Sequence, residues 1–184
     1  LDPLDVEAIE DWGQRMLQQP ARELMGPMET LVERVAERLD RRVAFRVEGA
    51  DTAMDPQIMQ PVLSTLSHLL RNAVDHGLEP EHERGDKEPI GQLVTRFGST
   101  DHHWFVEVED DGRGVDVERM VEKAVERCDI TQEEASSMSK EDGLNLLFLD
   151  GLSSREEATE LSGRGVGMSA VREIVDHRGG TIQI

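Results

Sequence analysis

A chain of 184 residues fits one main domain of ordinary size, long enough to bury a single core of sheet and helices. Its net charge of −19 and its aromatic content of 3% argue against nucleic-acid binding and against anionic membrane surfaces, because both partners require a basic face. The single cysteine, Cys128, excludes an intrachain disulfide, and the absence of a bilayer-length apolar stretch and of a signal peptide predicts a cytoplasmic protein without membrane insertion.

The first part of the chain predicts an amphipathic helix followed by a strand. Apolar residues recur at helical spacing between Ala21 and Arg41, which indicates a helix with one buried stripe. Apolar and polar residues alternate from Arg42 to Glu48, and this alternation predicts a strand. We therefore divide the chain into a helical lead-in or linker at residues 1–40 and a domain at residues 41–184.

A long helix is predicted next. Asp55 and Pro56 form a cap and first-turn pair, and the helix that they open is expected to continue to about His76 and to end at Gly77. The following segment, Gly77 to Gly91, is rich in proline, glycine and charged residues, which predicts an irregular loop.

The remaining elements are short. In chain order we predict two strands, a helix, a polar segment without clear structure, a second helix and a final strand, at Gln92 to Phe97, His103 to Glu109, Val117 to Arg127, Asp129 to Asp142, Val166 to His177 and Gly180 to Ile184. Strands that pair locally, with the helices on one face, predict an α+β fold, namely a two-layer sandwich with a mixed, mostly antiparallel sheet. Because the chain stops within the last predicted strand, we expect a domain truncated at its C-terminal strands.

The long helix carries a polar stripe opposite its apolar face. Successive residues on a helix lie 100° apart, so His68, Asn72 and His76 align along one side. These side chains, with Arg71 beside them, offer metal ligation, proton transfer and phosphate contact, and an Asn carbonyl oxygen suits Mg²⁺. The alternative is a solvated outer face, although such faces are usually built from Glu and Lys.

Two glycine clusters follow the helix. DDGRGV begins at Asp110, directly after a strand, where a carboxylate can accept a hydrogen bond from the adenine amine and glycines let the backbone approach a flat ring. A tight turn is the alternative interpretation. SGRGVGM at Ser162 to Met168 precedes a helix, so its backbone N–H groups and the helix dipole suit a phosphate group. Here a glycine-rich hinge is the alternative.

Together these motifs resemble the ATP-binding domain of chemotaxis-type (CheA-like) histidine kinases, in the superfamily that also holds gyrase, mismatch-repair and heat-shock ATPases. HLLRNAVDHGLE is similar to the N box, DDGRG to the first glycine box, LFLDGLSS to the F box and SGRGVGM to the second glycine box. The resemblance covers the chain from about Val43 to its end and implies a Bergerat-type ATP-binding fold. A histidine at position 68, in place of the usual glutamate, is typical of the CheA-like branch.

The resemblance implies roles for the N-box residues. It implies His68 as the catalytic residue that assists proton removal during transfer. Asn72 is implied as the Mg²⁺ ligand, with His76 near both phosphate and metal. Arg71 and Asp75 belong to the same box and are assigned to cofactor binding.

The glycine boxes receive roles from the same resemblance. Asp110 is implied on the adenine amine, with Gly112 and Gly114 beneath the ring. Lys123, in the helix after the first glycine box, is implied as a phosphate contact, with an exposed lysine on an amphipathic helix as the alternative. The residues implied in the mobile lid over the triphosphate are Ser162, Gly163, Arg164, Gly165, Val166, Gly167 and Met168.

The implied activity is that of a protein-histidine kinase module that binds ATP and Mg²⁺. It would transfer the γ-phosphoryl group to a histidine on a separate phosphotransfer domain, supplied in trans or by the same full-length chain. The implied partners also include a response regulator, coupling and receptor proteins, and a second copy of the full-length protein in a homodimer.

There are two alternatives to that activity. A degenerate regulatory module that holds nucleotide without phosphotransfer stays open, because Leu152 and Ser153 stand in the middle of the F box, where the family usually reads GFST. A gyrase-like or mismatch-repair ATPase would need a glutamate at position 68 to activate water and a basic DNA-facing surface, and the chain has neither.

Overall fold

A computed structural model describes residues 17–100, 103–149, 152 and 168–184. The chain divides into two compact units, Leu1–Arg113 and Gly114–Ile184, and each is described by itself. The division between residues 40 and 41 stays a prediction. None of the described helices combines the length and the apolar character needed to cross a bilayer.

The first unit contains two helices and two small sheets. Its elements in chain order are β1 (Gln19–Pro20), α1 (Ala21–Arg38), β2 (Val43–Glu48), β3 (Ala53–Met54), α2 (Pro56–Asn72), a π turn (Ala73–Gly77), a 3-10 turn (Glu81–Glu83), β4 (Gly91–Ser99) and β5 (Trp104–Asp110). The larger sheet has the order β2-β4-β5. Strands β2 and β4 are parallel, whereas β4–β5 and β1–β3 are antiparallel. The predicted α+β fold with a mixed sheet is confirmed, and the larger sheet combines one parallel and one antiparallel pairing.

The core of the first unit lies between the helices and one face of the larger sheet. Helices α1 and α2 each present an apolar stripe, and the alternate apolar residues of the three strands pack against them. Buried members of this cluster include Met25, Val32, Leu66, Leu70, Leu93 and Phe97. The opposite face of the sheet carries charged residues, where Arg96 pairs with Glu48 and Glu109.

Helix α2 begins as predicted and ends in a different way. The Asp55 carboxylate accepts a hydrogen bond from the Gln57 N–H at 2.8 Å, which satisfies one free donor of the first turn. The last turn is a π turn, in which the Leu78 N–H donates to the Ala73 carbonyl at 2.8 Å. The predicted end at Gly77 is correct, but the wider last turn was not predicted.

The second unit is helical in its described part. It contains α3 (Val117–Glu126), α4 (Gln132–Ser137), α5 (Lys140–Asn145), a 3-10 turn (Leu146–Phe148) and α6 (Met168–His177). Its apolar cluster is formed by Met120, Ala124, Leu146 and Leu152.

Two predictions for the second unit are wrong. The polar segment Asp129 to Asp142 contains helix α4 and the start of α5, because the Thr131 and Ser139 side chains cap them. The predicted final strand Gly180 to Ile184 has no regular secondary structure, since within the described residues it has no ladder partner.

Candidate functional site

Helix α2 presents a polar face toward solvent and an apolar face toward the core. Leu63, Leu66 and Leu70 are buried. On the other side, Asn72 at the end of the helix and His76 in the following π turn are exposed. The structure therefore gives this helix the two faces that its sequence predicts.

His68 lies on the same helix and is partly buried. Burial, and to a lesser degree the positive charge of Arg71, lower the pKa of His68 below its ordinary value. A lowered pKa favours the neutral imidazole at physiological pH. The side chain is thus in the protonation state that can accept a proton.

The π turn carries the second part of the polar stripe. Asp75 and His76 lie in it, with 3.7 Å between the Asp75 Oδ1 and His76 Nδ1 atoms. The Arg41 guanidinium donates hydrogen bonds to the carbonyl groups of Val74, at 2.6 Å, and of Leu78. Arg41 thereby binds the turn from outside the helix and satisfies carbonyl groups at its end. Such π turns within helices occur frequently at functional sites.

The first glycine cluster meets the end of this helix. Asp110 ends strand β5, and its Oδ1 atom accepts a hydrogen bond from the Gly112 N–H at 3.0 Å. The Arg113 N–H donates to the Gly77 carbonyl at 2.9 Å. The structure therefore brings the helix terminus and the strand terminus into direct contact.

Glycine is required where these two segments touch. A Cβ atom added to Gly112 would lie 2.2 Å from the Gly77 carbonyl oxygen and 2.6 Å from Asp110 Oδ1. A Cβ atom added to Gly77 would lie 2.8 Å from the same carboxylate oxygen. Both glycines are thus explained by close approach to the Asp110 carboxylate.

The Asp110 carboxyl group has an unusual electrostatic environment. Desolvation raises its pKa above the ordinary aspartate value, and the charges of Asp111 and Glu79 act in the same direction. The Gly112 N–H and the Lys87 ammonium oppose this shift. The Asp110 carboxylate is thus partly desolvated, and its Oδ1 atom is hydrogen-bonded within its own turn. Its other oxygen can accept a hydrogen bond from a ligand.

The remaining predicted site residues either belong to the second unit or lie outside the described part of the chain. Gly114, Lys123 and Met168 belong to the second unit, where Gly114 has a φ of +70° and Met168 begins α6. Lys123 is half-buried on helix α3. The other predicted lid residues lie outside the described part of the chain, namely Ser162, Gly163, Arg164, Gly165, Val166 and Gly167.

The metal assignment depends on few protein groups. Within the described residues, His, Cys, Asp and Glu side chains form no group of three or more that could hold a metal ion. Mg²⁺ is commonly bound through one or two protein groups together with substrate phosphates and water. The exposed Asn72 amide, four residues before His76 on the solvent side of the helix, fits that mode of binding.

Sequence reasoning missed four charged residues around the first glycine cluster. Glu79, Arg84 and Lys87 lie in the segment predicted to be an irregular loop, and they form ion pairs with one another or with Asp111. Charged residues in a loop are ordinarily exposed, so composition gave no reason to select these four. The one available signal was the concentration of opposite charges within the loop.

Comparisons with known proteins show the family to which the chain is similar. The profile of the family described as "Histidine kinase-, DNA gyrase B-, and HSP90-like ATPase" matches residues 59–184. The chain is 37% identical over 188 residues to the chemotaxis protein CheA of Halobacterium salinarum, covering 100% of this chain and 28% of that protein.

Two further relatives have similar sequence identity and coverage. Chemotaxis protein CheA of Bacillus subtilis is 31% identical over 87% of this chain and 25% of its own length. Sensor histidine kinase CheAY of Helicobacter pylori is 31% identical over 90% of this chain and 21% of its own length. The chain thus spans about a quarter of the length of these relatives, and the resemblance identified in the sequence is confirmed.

Proposed function

The chain belongs to the family of histidine kinase-, DNA gyrase B- and HSP90-like ATPases, and from this membership we propose that it is the catalytic ATP-binding domain of a chemotaxis-type histidine kinase. It transfers the γ-phosphoryl group of Mg·ATP to a histidine on a separate phosphotransfer domain. The observation that carries the proposal is the contact between Gly77, at the end of the polar-faced helix, and Asp110 with Gly112 at the end of strand β5.

That contact supports a division of roles between the two segments. The free oxygen of Asp110 accepts a hydrogen bond from the adenine amine, which favours adenine over guanine because guanine presents an oxygen at that position. Gly112, with no side chain, leaves room for the ring. The resemblance implies contact with the base for Gly114 also, and we propose that role for it.

The polar face of helix α2 serves the phosphate end of the nucleotide. Asn72 and His76 would hold Mg²⁺, which would neutralise charge on the phosphates. Arg71 and Asp75 contribute to the same region. His68, with its lowered pKa, accepts the proton that the attacking imidazole loses. Catalysis consists mainly of positioning and charge neutralisation.

For residues of the second unit, we propose the roles that the resemblance implies. These are a phosphate contact for Lys123 and a place in the lid for the segment from Ser162 to Met168. Leu152 stands in the F box where the family has an aromatic residue, and it is 2% exposed within the apolar cluster of this unit. The position therefore keeps a packing role, which favours an active kinase over a degenerate regulatory module.

The partners follow from the same assignment. The acceptor is a histidine-phosphotransfer domain, on the same full-length chain or on another, and the phosphoryl group passes on to a response regulator. Coupling and receptor proteins regulate the full-length homodimer in the cytoplasm. The names of the relatives, which are chemotaxis proteins and a sensor histidine kinase, support this pathway.

Phosphoryl transfer in trans tests the proposal. The chain is incubated with radioactive γ-labelled ATP and Mg²⁺, with and without a purified phosphotransfer domain. Acid-labile label should appear on the added domain and not on the chain itself. The matched control is the phosphotransfer domain with its acceptor histidine replaced by Gln. Nucleotide binding without any transfer would support the regulatory module, and stable self-labelling would contradict an acceptor in trans.

A further inference from the structure

The loop after the π turn contains a buried cation. Within the described residues, Arg84 is the one charged residue that is buried, and its side chain is 1% exposed. Burial of a guanidinium group is costly unless its donors are fully paired. The buried position of Arg84 therefore depends on the groups with which its side chain pairs.

Arg84 joins the loop to the first glycine cluster. Its Nη2 atom lies 2.7 Å from Asp111 Oδ2, and its Nη1 atom lies 3.2 Å from Glu79 Oε2. Its Nε atom donates to the Glu88 carbonyl at 2.5 Å. The planar fork of an arginine can satisfy these partners at the same time, whereas a lysine ammonium cannot reproduce that geometry.

Lys87 holds the backbone of the same turn. Its Nζ atom donates to the carbonyl oxygens of Asp111, at 3.0 Å, and Gly112, at 2.8 Å. It also lies 2.9 Å from Glu79 Oε1. Glu79 therefore links the two basic side chains. Desolvation raises the pKa of Glu79, but its hydrogen bonds and the charges of Lys87 and Arg84 together outweigh it, so the pKa lies below the ordinary glutamate value.

The Asp111 side chain is fixed on its other side by strand β4. Its Oδ1 atom accepts a hydrogen bond from the Gln92 N–H at 2.9 Å, and the Asp111 N–H donates to the Gln92 carbonyl at 3.1 Å. Neighbouring side chains at a strand end point to opposite sides. Fixing Asp111 toward the loop therefore orients Asp110 toward Gly77 and Gly112.

We propose that Arg84 and Lys87 are positioning residues that clamp Asp111 and thereby set the direction of the Asp110 carboxylate. This inference rests on the proposed ATP site, and it deepens it by assigning the base selectivity of that site to a buried ion-pair network. A loosened clamp lets Asp110 rotate away from the base. The preference for adenine over guanine then decreases, while the protein groups that contact the phosphates still contribute to nucleotide affinity.

The test compares binding of ADP and GDP by calorimetry. Arg84→Lys should weaken ADP binding about tenfold while GDP binding changes by less than about threefold, so that the ADP:GDP affinity ratio falls. Arg42→Lys is the matched control. Arg42 pairs with Glu81 of the same loop at 3.3 Å, and both side chains are more than half exposed. The ADP:GDP affinity ratio of Arg42→Lys should therefore stay at the wild-type value.

A second variant keeps the test decisive if Arg84→Lys does not fold. Lys87 is 41% exposed, so Lys87→Met should fold and should also lower the ADP:GDP ratio. If Lys87 contacted phosphate instead, ADP and GDP binding would weaken equally. A wild-type ratio in folded Arg84→Lys, or in Lys87→Met when the first variant is unfolded, would overturn the clamp. Absence of ADP binding by the wild-type chain would overturn the proposed function instead.

Discussion

Replacing Asp110 by Asn should act in opposite directions on nucleotide binding and on stability. One carboxylate oxygen accepts the Gly112 N–H and lies against Gly77, so the other oxygen is available to the adenine amine. An asparagine that keeps the Gly112 contact through its oxygen presents its NH₂ group to the adenine. Two donors then face each other, and no hydrogen bond forms.

The loss of affinity follows from the charge on the lost acceptor. A hydrogen bond to a charged group contributes roughly 1.5 to 3 kcal/mol, which corresponds to about ten- to a hundredfold in affinity. Calorimetric titration with ADP and Mg²⁺ measures this loss in the Asp110→Asn variant. Unchanged affinity would remove Asp110 from the site and refute the assignment of the first glycine cluster to the base.

The effect of Asp110→Asn on stability has the opposite sign. Burial raises the pKa of Asp110 in the folded chain, so between the unfolded and folded pKa values the folded chain binds more protons. The free energy of unfolding therefore falls as pH rises through that window, and above it the charged carboxylate disfavours folding. Asn removes this charge, so thermal unfolding at pH 7 should show a midpoint at or above that of the wild type. The advantage should shrink as the pH falls into the acid range. A clearly lower midpoint at pH 7 would contradict this reasoning.

Three further substitutions test other parts of the first unit. His68→Gln should leave nucleotide affinity within a few fold and lower transfer by about 10² or more, and equal losses of both would exclude the proton-accepting role. Gly112→Ala should impair ADP binding, because its Cβ atom would lie 2.2 Å from the Gly77 carbonyl oxygen. The control Gly26→Ala, in helix α1, adds a Cβ that meets no atom within 4 Å apart from its chain neighbours and the backbone of its own helix, so ADP binding should stay at the wild-type value. Arg41→Met should lower the free energy of unfolding by about 1 to 3 kcal/mol, because the carbonyl groups of Val74 and Leu78 lose their donor. An unchanged urea midpoint would show that Arg41 does not stabilise the π turn.

The elements that sequence reasoning predicted well are those specified by local pattern. The start of α2 follows from Asp55 and Pro56, whose cap and fixed φ act within one turn. Strands β4 and β5 follow from alternation, because one face of the sheet is buried. Asp110 and Gly112 were selected for the same reason, since they directly follow a recognisable strand.

The features that were missed depend on contacts between distant segments. The π turn is bound by Arg41, which is far from it in sequence, and Arg84 is buried because Asp111 lies across from it. No local pattern contains such information. The capping box at Thr131 is different, since Glu134 stands three residues later and the signal was present in the sequence. The wrong prediction at residues 180–184 shows that composition and alternation favour a strand without supplying its partner.

The hydrogen bond from the Arg113 N–H to the Gly77 carbonyl joins the two ends of the segment at residues 77–113, and we call this junction the neck. The candidate base site lies at the neck. Its amide hydrogens can therefore report on opening of the site without any catalytic readout. The Arg113 N–H, bonded to the Gly77 carbonyl, exchanges with solvent deuterium only when the neck opens. A nucleotide that binds the closed neck adds a free energy of RT ln(1 + [L]/Kd) to this protection. The change in the exchange rates of the Arg113 and Gly112 amide hydrogens on adding nucleotide thus measures how strongly nucleotide binding stabilises the closed neck.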